Sequence, residues 1–318
     1  MRPLLQLLLM TVALLACRRE AEPPPATGTP LGPVTRPPGV SQAAFDQYLA
    51  ALRADQPTQT DSTVAQQRPF GPAQSSVKLR DVYVNGTLHA SYTYLPTGQL
   101  AEVIRRYYAP NQNHLLSRAR YNYLDNRLST VTYEQSAESP ALEVMPMRWV
   151  TRDTFLLNQA QRVSRIVQRR IPQSPAQAVQ GHLTLHLLFD RAGRLVWQEQ
   201  DNWMYTRYDY NNRGNIVQIK SRQAADPDIA DISMYVYDDK PNPFYTTGQS
   251  TNSPMSLGGL AFVLSPNNVV KEVSTDTKGT FQYVSQYAYV YRPDGYPSQV
   301  TITRPGDQPF TLRFVYDR

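Results

Sequence analysis

The chain has 318 residues, with 32 Lys and Arg against 26 Asp and Glu, a net charge of +6 and 41% hydrophobic residues, enough for one large all-β domain or two ordinary ones. Like charges never form a long block and the arginines alternate with polar and apolar residues, which argues for solvated sheet faces and against nucleic acid as a partner. The single cysteine rules out a disulfide framework, and 21 tyrosines suit pleated sheets with half-wet faces, ring packed and hydroxyl toward water.

Residues 1–16 read as a signal peptide: Arg2, then an apolar run from Leu4 to Leu15 that is too short to span a bilayer. The run ends Leu14-Leu15-Ala16-Cys17, which resembles the lipobox of bacterial lipoproteins. That resemblance implies lipidation of Cys17, cleavage before it, and an outer-membrane lipoprotein facing the periplasm or the cell surface. Three acyl chains suffice for stable anchoring, where one would be marginal. Residues 17–75 read as a proline-rich tether, extended and solvated, with a short helix at about 42–54. Ser41 is its N-cap, and Phe45, Leu49 and Leu52 give it one apolar face. So short a helix needs a surface to dock on.

From 76 to 318 the pattern has period two, and one motif recurs. An aromatic or apolar residue is followed four positions on by a turn residue, then by two spaced apolars. Tyr94–Gly98–Leu100–Val103, Phe189–Gly193–Leu195, Tyr210–Gly214–Ile216–Ile219 and Tyr291–Gly295–Val300 are copies. Leu157–Gln161–Val163–Ile166 lacks the glycine, and Tyr123–Asn126–Leu128–Val131 is one residue shorter. Each copy reads as strand, tight turn, strand. Asn85-Gly86 adds a type I′ hairpin. Residues 134–147 break the pattern and read as a loop. The segment 155–170 could be a basic amphipathic helix, but it aligns with the repeat (Leu157 on Tyr94, Val163 on Leu100), and is taken as strand. About fourteen to sixteen strands joined by hairpins predict an all-β fold, an antiparallel meander curled into a β-roll or half-open barrel, with one short N-terminal helix.

The Tyr-x-Tyr-Asp-x-x-Gly-x-Leu-x-x-Val pattern resembles the YD/RHS repeat family, whose tandem hairpins build spiralling sheets. Tyr237-Asp238-Asp239-Lys240-Pro241-Asn242-Pro243-Phe244, followed by Ser265-Pro266-Asn267-Asn268-Val269, is similar to a motif pair in a bacterial lipoprotein family, a domain of unknown function with a porin-like fold. The second resemblance covers roughly residues 80–318. It implies a curved antiparallel sheet in the envelope and no particular activity, and the strands show no lipid-facing apolar band.

Catalytic or metal chemistry finds little support. Asp190, Asp209, Asp238 and Asp294 recur at turns, where aspartate caps backbone amides. Asp238, Asp239 and Asn242 lack the spacing of a calcium loop. His182 and His186, on a strand, lie about 13 Å apart, too far to share a metal. There is no nucleophile elbow or phosphate loop, so no catalytic residues, metal or cofactors are expected. The best candidate is the loop 239–268, flanked by departures from the repeat. Asp238, Asp239, Lys240, Asn242, Phe244, Tyr245, Asn267 and Asn268 combine aromatic faces with amides, suited to a glycan, a peptide or an envelope protein. The competing reading is that Pro241 and Pro243 shape a crossover and Phe244 plugs one end of the roll. A binding module is therefore expected, with a purely structural envelope protein and an enzyme of unrecognised type as alternatives.

Overall fold

The computed structural model describes residues 35–57, 77–108, 114–138, 148–158, 163–171, 183–245 and 260–317. The expected signal peptide, Cys17, most of the tether, His182 and residues 246–259 of the candidate loop lie outside the described residues. Helix α1 spans Gln42–Asp55, with the Ser41 side chain accepting from the Ala44 N–H. Strands follow as β1 (Lys78–Val84), β2 (Thr87–Tyr94), β3 (Leu100–Tyr108), β4 (His114–Leu124), β5 (Arg127–Glu138), β6 (Arg148–Leu157), β7 (Val163–Ile171) and β8 (Leu183–Phe189). The second half holds β9 (Leu195–Gln200), β10 (Met204–Tyr210), β11 (Ile216–Gln223), β12 (Asp226–Pro241), β13 (Asn267–Asp276), β14 (Gln282–Tyr291), β15 (Pro297–Thr303) and β16 (Phe310–Asp317). A short helix, α2 (Leu260–Leu264), sits in the crossover between β12 and β13. Of the segment 155–170, residues 155–157 belong to β6 and 163–170 to β7. Strand β5 continues to Glu138, five residues into what the sequence suggested was a loop.

Every strand pairs antiparallel with its sequence neighbours, and β1 pairs with β16, closing a sixteen-strand barrel. The expected roll or half-open barrel is corrected here. Val82↔Phe314 and Val84↔Leu312 join the first and last strands. Asn85 adds a clamp, its N–H donating to the Thr311 carbonyl at 2.9 Å and its side chain accepting the Thr311 N–H at 2.8 Å. An open sheet would leave two rows of backbone groups unpaired, and closure satisfies both.

Because the strands alternate in direction, every second turn falls at the same rim. The repeat's turns all lie at one end of the barrel, here called the lower rim. Four of them share one pattern. In 95–99, 190–194, 211–215 and 292–296 the first N–H meets the fifth carbonyl, and the fourth residue, glycine, donates to the first carbonyl. Those glycines (98, 193, 214, 295) have φ between +75° and +87°, a conformation that costs other residues energy. A register shift stands just before the motif's first residue: at Thr93/Tyr94, Asn122/Tyr123, Leu156/Leu157, Leu188/Phe189, Asp209/Tyr210 and Val290/Tyr291. Such bulges bend and twist a strand.

The bulge also explains the tyrosines. Tyr94, Tyr123, Tyr210, Tyr237 and Tyr316 donate their hydroxyls to the carbonyls of Leu79, Leu100, Leu195, Ile216 and Pro297. In four of the five the acceptor stands six residues after the opening residue of the preceding copy. The hydroxyls were expected to meet water; they instead stitch each hairpin to the one before. Burial raises these phenols, Tyr123 to about 12, so they stay protonated donors at any physiological pH.

Candidate functional site

The lower rim is where the candidate loop lies. Strand β12 ends at Pro241, and the chain turns into the lumen. Asn242 is 2% exposed. Its Nδ2 donates to the Phe262 and Ser265 carbonyls at 2.5 and 2.8 Å, and its Oδ1 accepts the Phe244 N–H at 2.9 Å. Asn268, equally buried, donates through Nδ2 to the Lys240 and Pro241 carbonyls. Asn267 and Asn215 exchange hydrogen bonds of 2.9 and 3.0 Å. Asp238 accepts from the N–H groups of Lys240 and Asn268 and from the Tyr291 hydroxyl. The two halves of the motif pair are thus one clasp, which explains why they occur together.

The clasp holds an apolar plug. Phe244 meets Phe314 edge-on at 5.8 Å, and Phe262 meets Tyr287 at 5.2 Å. Ala261, Phe262 and Leu264 of α2 join the barrel's core cluster with Leu100, Val103, Ile166, Leu195, Ile216 and Leu312. The remaining space around Asn242, Phe244 and Phe262 is a cavity of about 10 Å³, room for about one water. Of the candidate loop, Asp239 and Lys240 face solvent, paired at 3.5 Å; Tyr245 is half-buried. Asp190, Asp238 and Asp294 cap turns as expected. Asp209 does not: it pairs with Arg207, and Asn211 caps that turn.

The upper half of the lumen is different. Strand alternation carries Arg105, Ser117, Asp153, Gln168, Gln198, Thr206, Ser221, Ser233, Glu272, Ser274 and Ser285 to the inner wall, in register across neighbouring strands. They bond one another: Gln168 Nε2 to Asp153 Oδ1 at 2.8 Å, Thr206 Oγ1 with Ser221 Oγ at 3.0 Å, Ser233 Oγ with Ser274 Oγ at 2.8 Å, and Tyr287 OH to Glu272 Oε2 at 2.9 Å. Arg105 and Asp153 are buried at the floor with Tyr121, whose hydroxyl has no protein hydrogen-bond partner. Gln198, Ser221, Ser233, Glu272 and Ser274 are only half-buried although they point inward, so solvent reaches them from the upper rim. Burial raises the Glu272 carboxyl above its ordinary range, partly offset by the hydroxyl of Tyr287 and by Arg304. Burial, then Asp276 and Asp226, raise Asp231 near the mouth.

The outer wall is polar over much of its surface, with Met234, Val236 and Val290 exposed on β12 and β14. Glu102, Arg118, Arg120 and Glu134 form an ion-pair network there, and Arg152, Lys220, Lys271, Thr301 and Arg313 occupy outward positions. Membrane-spanning barrels carry an apolar band outside and polar groups within; the lower half of this one is apolar within. Helix α1 docks outside on β8–β12, burying Phe45, Tyr48 and Leu52 against Leu188, Trp197 and Tyr205. Trp197 and Tyr205 stack at 4.6 Å, and Asp55 at the helix end accepts from Tyr205 and Lys220 at 2.5 and 2.7 Å.

No protein-family model matches this chain, and no curated protein matches it. Among solved structures it is similar to two porin-like proteins. One, from Bacteroides uniformis, aligns at a TM-score of 0.40 and 13% identity over 68% of this chain and 96% of that one. The other, from Bacteroides vulgatus, aligns at 0.39 and 8% identity over 76% and 99%. The Photorhabdus luminescens Tc holotoxin pore aligns at 0.22 and 12% identity over 75% of this chain and 15% of that one. At these scores the likenesses are remote.

The polar cup was not foreseen as a site, although its signal is in the sequence. Asp231-x-Ser233-x-Tyr235-x-Tyr237 alternates polar residues at the upper end with aromatics below, all on one face. Thr206-x-Tyr208 repeats the same gradient, and Glu272-x-Ser274 adds two polar positions on one face.

Proposed function

We propose that this chain is a non-catalytic envelope receptor: a barrel plugged at one rim, with a polar cup open at the other, tethered to the membrane through an acylated Cys17. The observation that carries the reading is the division of one lumen into an apolar, plugged lower half and a polar, solvent-reached upper half. A purely structural barrel gains nothing from lining half its interior with hydroxyls and a desolvated carboxylate, since buried polar groups at best break even. A through-channel would need the lower half polar as well. Ligand specificity then resides in the cup, and Phe244 with α2 serves it by filling the floor; the exposed Asp239 and Lys240 are left as the loop's own partner contacts. Asp190, Asp238, Asp276 and Asp294 are spent on turns and the Thr206–Ser221 and Ser233–Ser274 hydroxyls on one another, which favours binding over chemistry. Labelling with radioactive palmitate tests the anchor: incorporation lost on Cys17→Ser supports it, and incorporation that persists removes it. Soaking or titrating small polar solutes while following the environment of Tyr287 and Tyr235 tests the cup. No perturbation by any solute, with the barrel intact, would refute the receptor reading.

A further inference from the structure

Resting on that receptor reading, we infer that the cup takes the end of a neutral glycan. The wall beneath the mouth presents hydroxyls in register pairs, Thr206 with Ser221 at 3.0 Å and Ser233 with Ser274 at 2.8 Å. Thr206, Ser233 and Ser274 also hydrogen-bond Tyr208, Tyr235 and Glu272, so what the pairs leave for a guest is hydroxyl lone pairs. Sugar hydroxyls donate to such acceptors. Tyr283 stands opposite Ser274 in the β13–β14 ladder, hence on the lumenal side, and is 41% exposed at the upper rim. An exposed ring at the mouth, rigid and amphipathic, is a platform for the apolar face of a pyranose.

Charge narrows the guest further. Glu272 lies within electrostatic reach of Arg304, and Asp276 is occupied by the N–H groups of Lys278 and Thr280 at 2.9 Å. Among the described residues, Arg105 of this wall is buried at the floor and Arg304 is engaged with Ser285 Oγ and the Phe310 ring, so neither is offered to an anionic guest, which Asp231 at the mouth would repel. A neutral hydroxylated chain loses no ionic hydration on entry, whereas a charged one would have to find a counter-charge inside. The end of a chain, rather than its middle, follows from the plug: a cup with one mouth cannot be threaded.

The test uses the purified full chain on an array of neutral oligosaccharides, with acidic oligosaccharides and short Lys/Arg-rich peptides alongside. Neutral glycans should bind, and Tyr283→Ala should weaken that binding on the order of tenfold, as loss of an aromatic anchor does. Ser221→Trp, which fills the cup from its wall, should abolish it, and circular dichroism of both variants should match the parent. Binding of neutral glycans unaffected by Tyr283→Ala, or preferential binding of acidic glycans or basic peptides, overturns the inference. If nothing on the array binds while small solutes still perturb the cup tyrosines, the glycan inference fails and the receptor reading stands.

Discussion

Replacing Phe244 by alanine separates a plug from a binding loop. Phe244 is 8% exposed, edge-on to Phe314 at 5.8 Å, and belongs to the barrel's core cluster. Its removal loses the transfer energy of the ring and leaves a void beside an existing cavity. Clasp residues Asn242 and Asn268 limit how far the loop can collapse into that void. Phe→Ala in such a setting costs about 3–5 kcal/mol. For a domain of this size that is a fall in Tm of about 6–20 °C, at about 2–4 °C per kcal/mol. Asp239→Ala, six-tenths or more exposed and bonded only to Lys240, is the internal control and should stay within about 0.5 kcal/mol. Chemical denaturation of the two variants and the parent, followed by tyrosine and tryptophan fluorescence, gives both numbers. A Phe244→Ala loss below about 1 kcal/mol, similar to the control, would show that the loop does not fill the lower lumen and would return it to the status of an open binding loop.

Three further outcomes follow from the same geometry. Tyr237→Phe removes the donor to Ile216 and the acceptor of Ser265, and should cost about 1–3 kcal/mol; Tyr94→Phe, at a distant turn, should add to it nearly independently, as double-mutant denaturation would show. Glu272→Gln should change the pH dependence of stability. The folded carboxyl titrates above the ordinary value of 4.5, so folding takes up a proton and the wild type loses stability as pH rises from 4.5 to the folded value. The variant lacks that loss, and its advantage should open with rising pH across this window; an advantage that is constant with pH would contradict the assignment. Tyr48→Phe, which removes a buried hydroxyl with no protein partner beneath α1, should leave the unfolding midpoint unchanged or raise it, while Asp55→Asn should lower it by about 1 kcal/mol through the partly exposed contacts to Lys220 and Tyr205.

The sequence carried the fold to within its closure. Glycine at fixed offsets, aromatics before the turns and period-two alternation are local signals, and they place nearly every strand and lower-rim turn, including the Arg-rich segment that became β6 and β7. Closure is not local. The pairing of Val82 with Phe314 joins residues at opposite ends of the domain, and no window of sequence contains both. The tyrosine hydroxyls were misjudged for the same reason: their acceptors lie fifteen to twenty-three residues away. Asx-turn chemistry was legible for Asp190 and Asp294, but not the substitution of Asn211 for Asp209, since both residues favour turns equally. The clasp motif was visible as an exception to the repeat, and only the barrel shows that its amides face inward. The cup was hidden because serine and threonine on a strand look alike whether they face bulk water or a lumen.

The most direct measurement places a thiol in the cup. In a Cys17→Ser background, which is free of cysteine, Ser233→Cys puts one sulfhydryl on the inner wall and Tyr237→Cys puts one at the plugged lower end. A small maleimide should modify position 233 readily under native conditions and position 237 only on unfolding, and a polymer-conjugated maleimide too wide for the mouth should modify neither. Equal reactivity of the two positions, or no reaction at 233, would contradict a lumen open at one rim and filled at the other.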